Sequence, residues 1–311
     1  MSSSSKLAVV FPGQGSQSLG MMDSVLEKYP DINNSFAIAS DILGYDLLEI
    51  ITSDPEEKLN QTEITQPALL VSAYAIWSAW CKNIDVKPTV LAGHSLGEYT
   101  ALVCADVISF EDSIALVAER GRCMQRAVPN NMGAMAAILG LDDAQIVKVC
   151  NDSAEDEIVS AANYNSPGQV VIAGHKAAVE RAINAAKDAG AKRAMILPVS
   201  VPSHCLLMKE AADEFAETLN KITFNDATIP VLQNVDAVVK STADEIKAAL
   251  LEQLYKPVLW VDCINSIKNM GVTRVVECGP GKILSGLIKR IDRELDISSI
   301  HDADSLLKAL A

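Results

Sequence analysis

Apolar residues in this chain gather into short unbroken runs separated by longer mixed stretches. Residues 6–11 (KLAVVF) are one such run, closed at once by Pro12, Gly13, Gln14 and Gly15. An apolar run bounded by turn residues reads as a buried strand. The same form recurs at 89–94 (TVLAGH), 229–232, 273–278 and 297–300. Between these runs the apolar positions take helical spacing at 66–82, 97–105 and 110–126, and again at 205–220, 242–254, 258–270 and 282–291. Pro67 stands near the start of the first of these helices, where a missing N–H costs least. Strands alternating with helices predict an α/β fold built on a mainly parallel sheet.

At Pro129-Asn130-Asn131 the texture changes. The next segment reads strand (134–139), helix (142–151), strand (157–163), strand (169–173), helix (175–189) and strand (192–197). Asn165-Ser166-Pro167-Gly168 is the turn between its two central strands. The order βαββαβ is the ferredoxin-like arrangement. We therefore expect a large α/β catalytic domain from 1–127 and 198–311, interrupted by a ferredoxin-like subdomain at 128–197. The cleft between the two is the expected ligand site. No internal repeat and no low-complexity linker is visible.

Composition narrows the class. Hydrophobic residues make up 49% of the 311 positions but aromatics only 5%, so the core is expected to be aliphatic, as buried parallel strands require. The polar serine run at 1–5 is not a secretory signal, and no apolar stretch reaches the roughly 18 residues that span a bilayer. Seven scattered cysteines without a C-x-x-C pair predict free thiols in a reducing, cytoplasmic setting and no zinc site. A formal net charge of −14 argues against a nucleic-acid partner.

The chemistry concentrates at Gly93-His94-Ser95-Leu96-Gly97, which fits G-x-S-x-G between a strand and a helix. This is the context of a nucleophile elbow, which exposes a serine above a helix N-terminus whose free N–H groups face a developing oxyanion. Serine needs a base. Among His94, His175, His204 and His301 we favour His204, which follows the return from the insert in Pro198-Val199-Ser200-Val201-Pro202-Ser203-His204. His94 reads as a packed or supporting residue, His175 as a surface residue and His301 as structural. No third triad member announces itself: Asp213 and Asp262 are candidates by position only, and a carbonyl can orient an imidazole equally well. Residues 11–17 (FPGQGSQ) offer a second oxyanion donor, since glycines let a backbone approach a substrate. The loop lacks the G-x-G-x-x-G pattern and the lysine of a phosphate loop. Cys205, beside His204, lacks an elbow and reads as a buried small apolar residue.

Several segments together resemble the malonyl-CoA:acyl carrier protein transacylases of bacterial fatty acid synthesis. They are FPGQGSQ (11–17), TQPAL (65–69), GHSLGEY (93–99), ERG (119–121), NSPGQVVIAG (165–174), PVSVPSH (198–204), QLYKPV (253–258) and GPGK (279–282). The resemblance covers almost the whole chain. It implies a hydrolase-like α/β core with a ferredoxin-like insert. It also implies Ser95 as acylated nucleophile, His204 as base, Gln14 and Leu96 as oxyanion donors through their backbone N–H groups, and Gln253 as the carbonyl that orients His204. Arg120, which by helix position alone reads as a surface charge beside Arg122 and Arg126, becomes the ligand of the malonyl carboxylate.

The implied reaction moves malonyl from malonyl-CoA, a substrate, to the phosphopantetheine thiol of acyl carrier protein. It needs no cofactor and no metal, and the protein is expected to be a monomer in the cytoplasm. An acidic carrier predicts a basic patch drawn from Arg126, Lys187, Lys192, Arg193, Lys289 and Arg290. Three rivals share parts of the pattern: a serine esterase or thioesterase, a freestanding polyketide acyltransferase, and a non-catalytic carrier-binding module.

Overall fold

The computed structural model describes residues 6–129, 131–199 and 201–310; residues 1–5, Asn130, Ser200 and Ala311 lie outside the described residues. The chain opens with β1 (Lys6–Phe11), α1 (Asp23–Lys28), α2 (Asn33–Leu43), α3 (Leu47–Thr52), α4 (Thr62–Asn83), β2 (Val90–Gly93), α5 (Leu96–Cys104) and α6 (Phe110–Ala127). A second group follows: β3 (Gly133–Leu139), α7 (Asp143–Ala154), β4 (Val159–Ser166), β5 (Gln169–His175), α8 (Lys176–Asp188) and β6 (Arg193–Ile196). The last group is α9 (Lys209–Leu219), β7 (Val231–Leu232), β8 (Val239–Lys240), α10 (Ala243–Tyr255), α11 (Trp260–Asn269), β9 (Val272–Cys278), α12 (Ile283–Ile291), β10 (Asp296–Ile300) and α13 (Ala303–Leu310).

The first and last groups share a six-stranded sheet in the order β10-β9-β1-β2-β7-β8. It is parallel except where β8 turns back on β7. Side chains alternate along β1, so Val9 and Phe11 join the core under α4, α5, α6 and α9, while Ala8 and Val10 join the core under α11 and α12. Both faces are thus covered, which is why the strands read as continuous apolar runs.

The middle group forms a separate antiparallel sheet in the order β4-β5-β3-β6. One face packs Ala136, Ile138, Val170 and Ile172 against Ile146 of α7 and Val179 of α8. The other face carries Met135, Val171 and Ala173, packed with Cys205 from the larger unit. The antiparallel sheet is tied to the larger unit by an isolated bridge between Asn163 of β4 and Val258, just before α11, with Tyr164 N–H donating to the Val258 carbonyl at 2.9 Å and Val258 N–H to the Ala162 carbonyl at 2.9 Å.

Element types agree with the sequence reading; several limits do not. The helix expected at 66–82 starts at Thr62, so Pro67 sits in its second turn. The stretch 205–220 splits into a 3-10 turn, Leu206–Met208, and α9. The run at 229–232 keeps only two paired residues, Val231 and Leu232. Among the described residues, no helix is long and apolar enough to cross a membrane.

Candidate functional site

β2 ends at Gly93 and α5 begins at Leu96, leaving His94 and Ser95 to make the turn. Ser95 takes φ 52° and ψ −107°, a region that strains any side-chain-bearing residue by about 1–3 kcal/mol. Close packing enforces the turn. A Cβ on Gly93 would lie 1.8 Å from the Gly97 carbonyl carbon, and one on Gly97 would lie 2.1 Å from the Phe11 carbonyl oxygen. The two glycines of G-x-S-x-G are therefore fixed by backbone contact between strand and helix.

Ser95 Oγ lies 2.8 Å from His204 Nε2. His204 Nδ1 lies 2.6 Å from the Gln253 carbonyl oxygen. A carbonyl only accepts, so Nδ1 carries the proton and the Nε2 lone pair faces the serine hydroxyl. This arrangement leaves Asp213 and Asp262 out: both are exposed, and Asp213 is paired with Lys209. His204 itself has φ 64° and is pinned by its N–H to the Leu254 carbonyl at 2.9 Å. Burial, and next the nearby Arg120 cation, push its imidazole down to about 3, so it is neutral and able to accept a proton across the physiological range.

Arg120 is 1% exposed. Nη1 donates to Gln66 Oε1 at 2.8 Å, Nη2 donates to Gln253 Oε1 at 2.8 Å, and Nη2 also reaches Ser95 Oγ at 3.4 Å. Its guanidinium carbon stands 5.2 Å from the Tyr99 ring centroid. Among the described residues no carboxylate pairs with it. Glu98, the nearby acid, is fully buried, and burial pushes it up to about 8, so it is largely protonated near neutral pH. An uncompensated buried cation costs several kcal/mol, which leaves this site prepared for an anion from outside.

Ser95, His204 and Arg120 line a cavity of roughly 320 Å³ between the two sheets. Gln14 and Leu96 both line it. Leu96 is the first residue of α5, so its N–H has no partner within the helix. Met124, Met135, Val171, Leu197, Val199 and Val201 supply much of the apolar wall. His94 also lines it, with Nε2 2.8 Å from Asn165 Oδ1 and its ring 5.4 Å from that of Trp260, a packed role as expected.

His175 and His301 stand elsewhere: His175 Nδ1 accepts from Ile158 N–H at 2.9 Å, and His301 packs beside Ser299, Ser305 and Asp302. The Cys205 thiol donates to the Pro202 carbonyl, and burial pushes it up to about 12, so it stays protonated. Glu119, Cys123 and Glu214 cluster closely enough to hold a metal ion, but the Arg126 guanidinium donates to both carboxylates. That pairing also removes Arg126 from the expected basic patch. Gln66, Glu98 and Asn165 lie inside segments that carry the resemblance but are given no role in the site, and Asn234 lies outside every quoted segment; burial is the signal that marks all four.

The acyl transferase domain family matches residues 8–303. A malonyl CoA-acyl carrier protein transacylase of Salmonella typhimurium is 53% identical over 305 residues, covering 98% of this chain and 99% of that protein. Among solved structures, an acyl carrier protein S-malonyltransferase from Vibrio cholerae O1 biovar eltor superposes with a TM-score of 0.96 at 54% identity, covering 99% of this chain and all of the other. A malonyl-transacylase solved in complex with its type II PKS acyl-carrier protein gives a TM-score of 0.97 at 51% identity, covering 98% of this chain and 99% of that one. With near-complete coverage at this identity, and with the serine, histidine and buried arginine assembled in one cavity, this chain belongs to the malonyl-CoA:acyl carrier protein transacylase family.

Proposed function

We propose that the chain moves a malonyl group from malonyl-CoA to the phosphopantetheine thiol of acyl carrier protein, supplying fatty acid synthesis, through an ester on Ser95. The observation that carries this reading is Arg120: a buried guanidinium with no carboxylate partner among the described residues, 3.4 Å from the Ser95 hydroxyl oxygen. A malonyl thioester brings the missing carboxylate to the reacting atom.

In the first half-reaction His204 Nε2 takes the Ser95 hydroxyl proton as Oγ bonds to the thioester carbon. The N–H groups of Leu96 and Gln14 receive the oxyanion. The C–S bond then breaks, and coenzyme A leaves with the proton from His204. In the second half the carrier thiol gives its proton to His204 and attacks the ester. The Ser95 oxygen leaves and recovers the proton. The Gln253 carbonyl keeps Nδ1–H fixed throughout. Every bond and proton balances without a redox or metal partner, so malonyl-CoA enters as substrate and no cofactor is required.

We read the large unit, 1–127 with 198–311, as the hydrolase-like catalytic domain and 128–197 as a ferredoxin-like subdomain. The mainly parallel sheet with an elbow at the end of β2 supports the first; the order β4-β5-β3-β6 with α7 and α8 on one face supports the second. Seven unpaired cysteines fit a reducing, cytoplasmic setting, and the protein is read as a monomer. A second reading, transfer to a type II polyketide carrier, is favoured by the 51% identical malonyl-transacylase solved with such a partner.

The test is intact mass after brief mixing with malonyl-CoA. A single malonyl adduct on Ser95 is expected, discharged by added holo-carrier protein. Free malonate without an adduct overturns transfer in favour of hydrolysis. Comparing discharge by fatty-acid and polyketide carriers separates the two readings.

Acidity gives a further expected outcome. An unperturbed histidine protonates near pH 6.5, whereas His204 holds off until about 3. The rate of Ser95 acylation is therefore expected to stay level as pH falls from about 7, where Glu98 is already largely protonated, to about 5, with no loss centred near 6.5. The sign for stability is opposite. The unfolded chain binds a proton at this histidine between about 6.5 and 3 that the folded chain does not. This residue therefore lowers folding stability as pH falls through that window. Stopped-flow acylation and thermal melts over one pH series check both; an acid limb near 6.5 would contradict them.

A further inference from the structure

One side-chain amide spans the elbow. Ser95 N–H donates to Asn234 Oδ1 at 2.7 Å, and Asn234 Nδ2 donates to the Gly93 carbonyl at 2.7 Å. β2 pairs with β7 only at Leu91 with Val231 and Ala92 with Leu232. Beyond that point the backbone turns into the strained conformation of Ser95 and no regular ladder can follow it. Asn234, two residues past β7, takes over where the ladder stops.

Asn234 is itself held on both sides. It is fully buried, its N–H donates to Glu98 Oε2 at 2.8 Å, and its carbonyl accepts from Leu259 N–H at 3.0 Å. Glu98 stands on α5 three residues after the nucleophile, also fully buried, and its Oε1 has no hydrogen-bond partner among the described residues. A salt bridge or helix cap would explain a buried carboxyl; among the described residues Glu98 has neither. Burial keeps its proton on near neutral pH. A neutral Glu98 still offers Oε2 to Asn234, and it does not compete with a substrate carboxylate for Arg120.

We propose that Asn234 and Glu98 are positioning residues for the acyl transfer. The Asn234 amide holds the strained Ser95 backbone so that Oγ faces His204 and the Leu96 N–H faces the oxyanion, and Glu98 fixes Asn234 through its main chain. The proposal rests on Ser95 being the nucleophile. Neither residue lines the cavity, so both act on the chemical step more than on binding.

The experiment is single-turnover acylation of the full chain by malonyl-CoA, read by intact mass, with a thermal melt for each variant. Asn234→Ala is expected to slow acylation about 10- to 100-fold, the scale of a sub-ångström to ångström misplacement, while half-saturation by malonyl-CoA stays within about threefold. Glu98→Ala is expected to lose about tenfold in rate, and Glu98→Gln, which keeps the acceptor, to recover most of that loss. A folded Asn234→Ala protein with the wild-type rate overturns the proposal. So does a loss confined to half-saturation, or a Glu98→Gln protein as slow as Glu98→Ala. If Asn234→Ala does not fold, the near-isosteric Asn234→Asp decides. It keeps the acceptor for Ser95 and weakens the hold on Gly93, so about a tenfold loss is expected and a wild-type rate overturns the clamp. Wild-type protein that forms no Ser95 adduct overturns the proposed function, an outcome distinct from normal acylation in the variants.

Discussion

Ser95→Ala is expected to abolish the malonyl adduct and to lower transfer by about 10⁴-fold or more, the scale on which covalent nucleophiles matter. The fold is expected to tolerate the change. Among the described residues the hydroxyl meets His204 and Arg120, while the clamp on the backbone N–H belongs to Asn234. A melt unchanged within a few degrees would separate lost chemistry from lost structure. His204→Ala is expected to cost nearly as much, and the double variant little more than either single one, because the two atoms 2.8 Å apart act as one unit. Surviving acylation in Ser95→Ala would move the nucleophile elsewhere. Cys205 would then be the first residue to test, although its buried, protonated thiol speaks against it.

The elbow was legible because its causes are local. Five residues, two of them glycines in contact with neighbouring backbone, lie between a strand and a helix that each carry a clear apolar signature. The sheet was legible for a related reason: strands buried on both faces leave unbroken runs. The edge strand β8 was not: it has two residues, too few for any period to register, and its neighbour β7, expected at 229–232, keeps only two. The helices α1 and α3 have six residues each, less than two turns, so no apolar stripe can repeat.

The site beyond the elbow depends on contacts that sequence spacing does not record. Asn234 meets Ser95 across 139 positions and Gln253 meets His204 across 49. Gln66 and Gln253 are ordinary polar residues in helices until the fold places them against one guanidinium. Arg120 shows the limit most plainly. Its helix carries Arg122 and Arg126 on turns paired with Glu119, whereas Arg120 falls on the apolar stripe, three residues after Val117 and four before Met124; spacing alone gives no role to a charge on that stripe. Resemblance to a family supplied that distinction; the structure supplies its physical cause.

Arg120→Ala is expected to erase most of the acyl selectivity. In the intact site a malonyl carboxylate relieves the unpaired cation with two charge-assisted bonds, and an acetyl group leaves it buried and unrelieved. Sites built around such a group reject the analogue that lacks the partner by about 10⁴-fold. Removing the guanidinium is therefore expected to lower kcat/KM for malonyl-CoA by about 10³- to 10⁴-fold and to leave acetyl-CoA unchanged or improved. Arg120→Lys is expected to recover only part of the loss. An ammonium keeps the charge but not the planar fork, and it cannot bond Gln66 and Gln253 together while holding both oxygens of a carboxylate. The measurement is kcat/KM for the two thioesters in each variant beside a thermal melt, since Gln66 and Gln253 lose their donor in Arg120→Ala. A malonyl-to-acetyl ratio unchanged in a folded variant would take the carboxylate away from Arg120. It would also remove the feature that sets this cavity apart from that of a serine esterase, because the elbow, the histidine and the Gln253 carbonyl would serve either reaction.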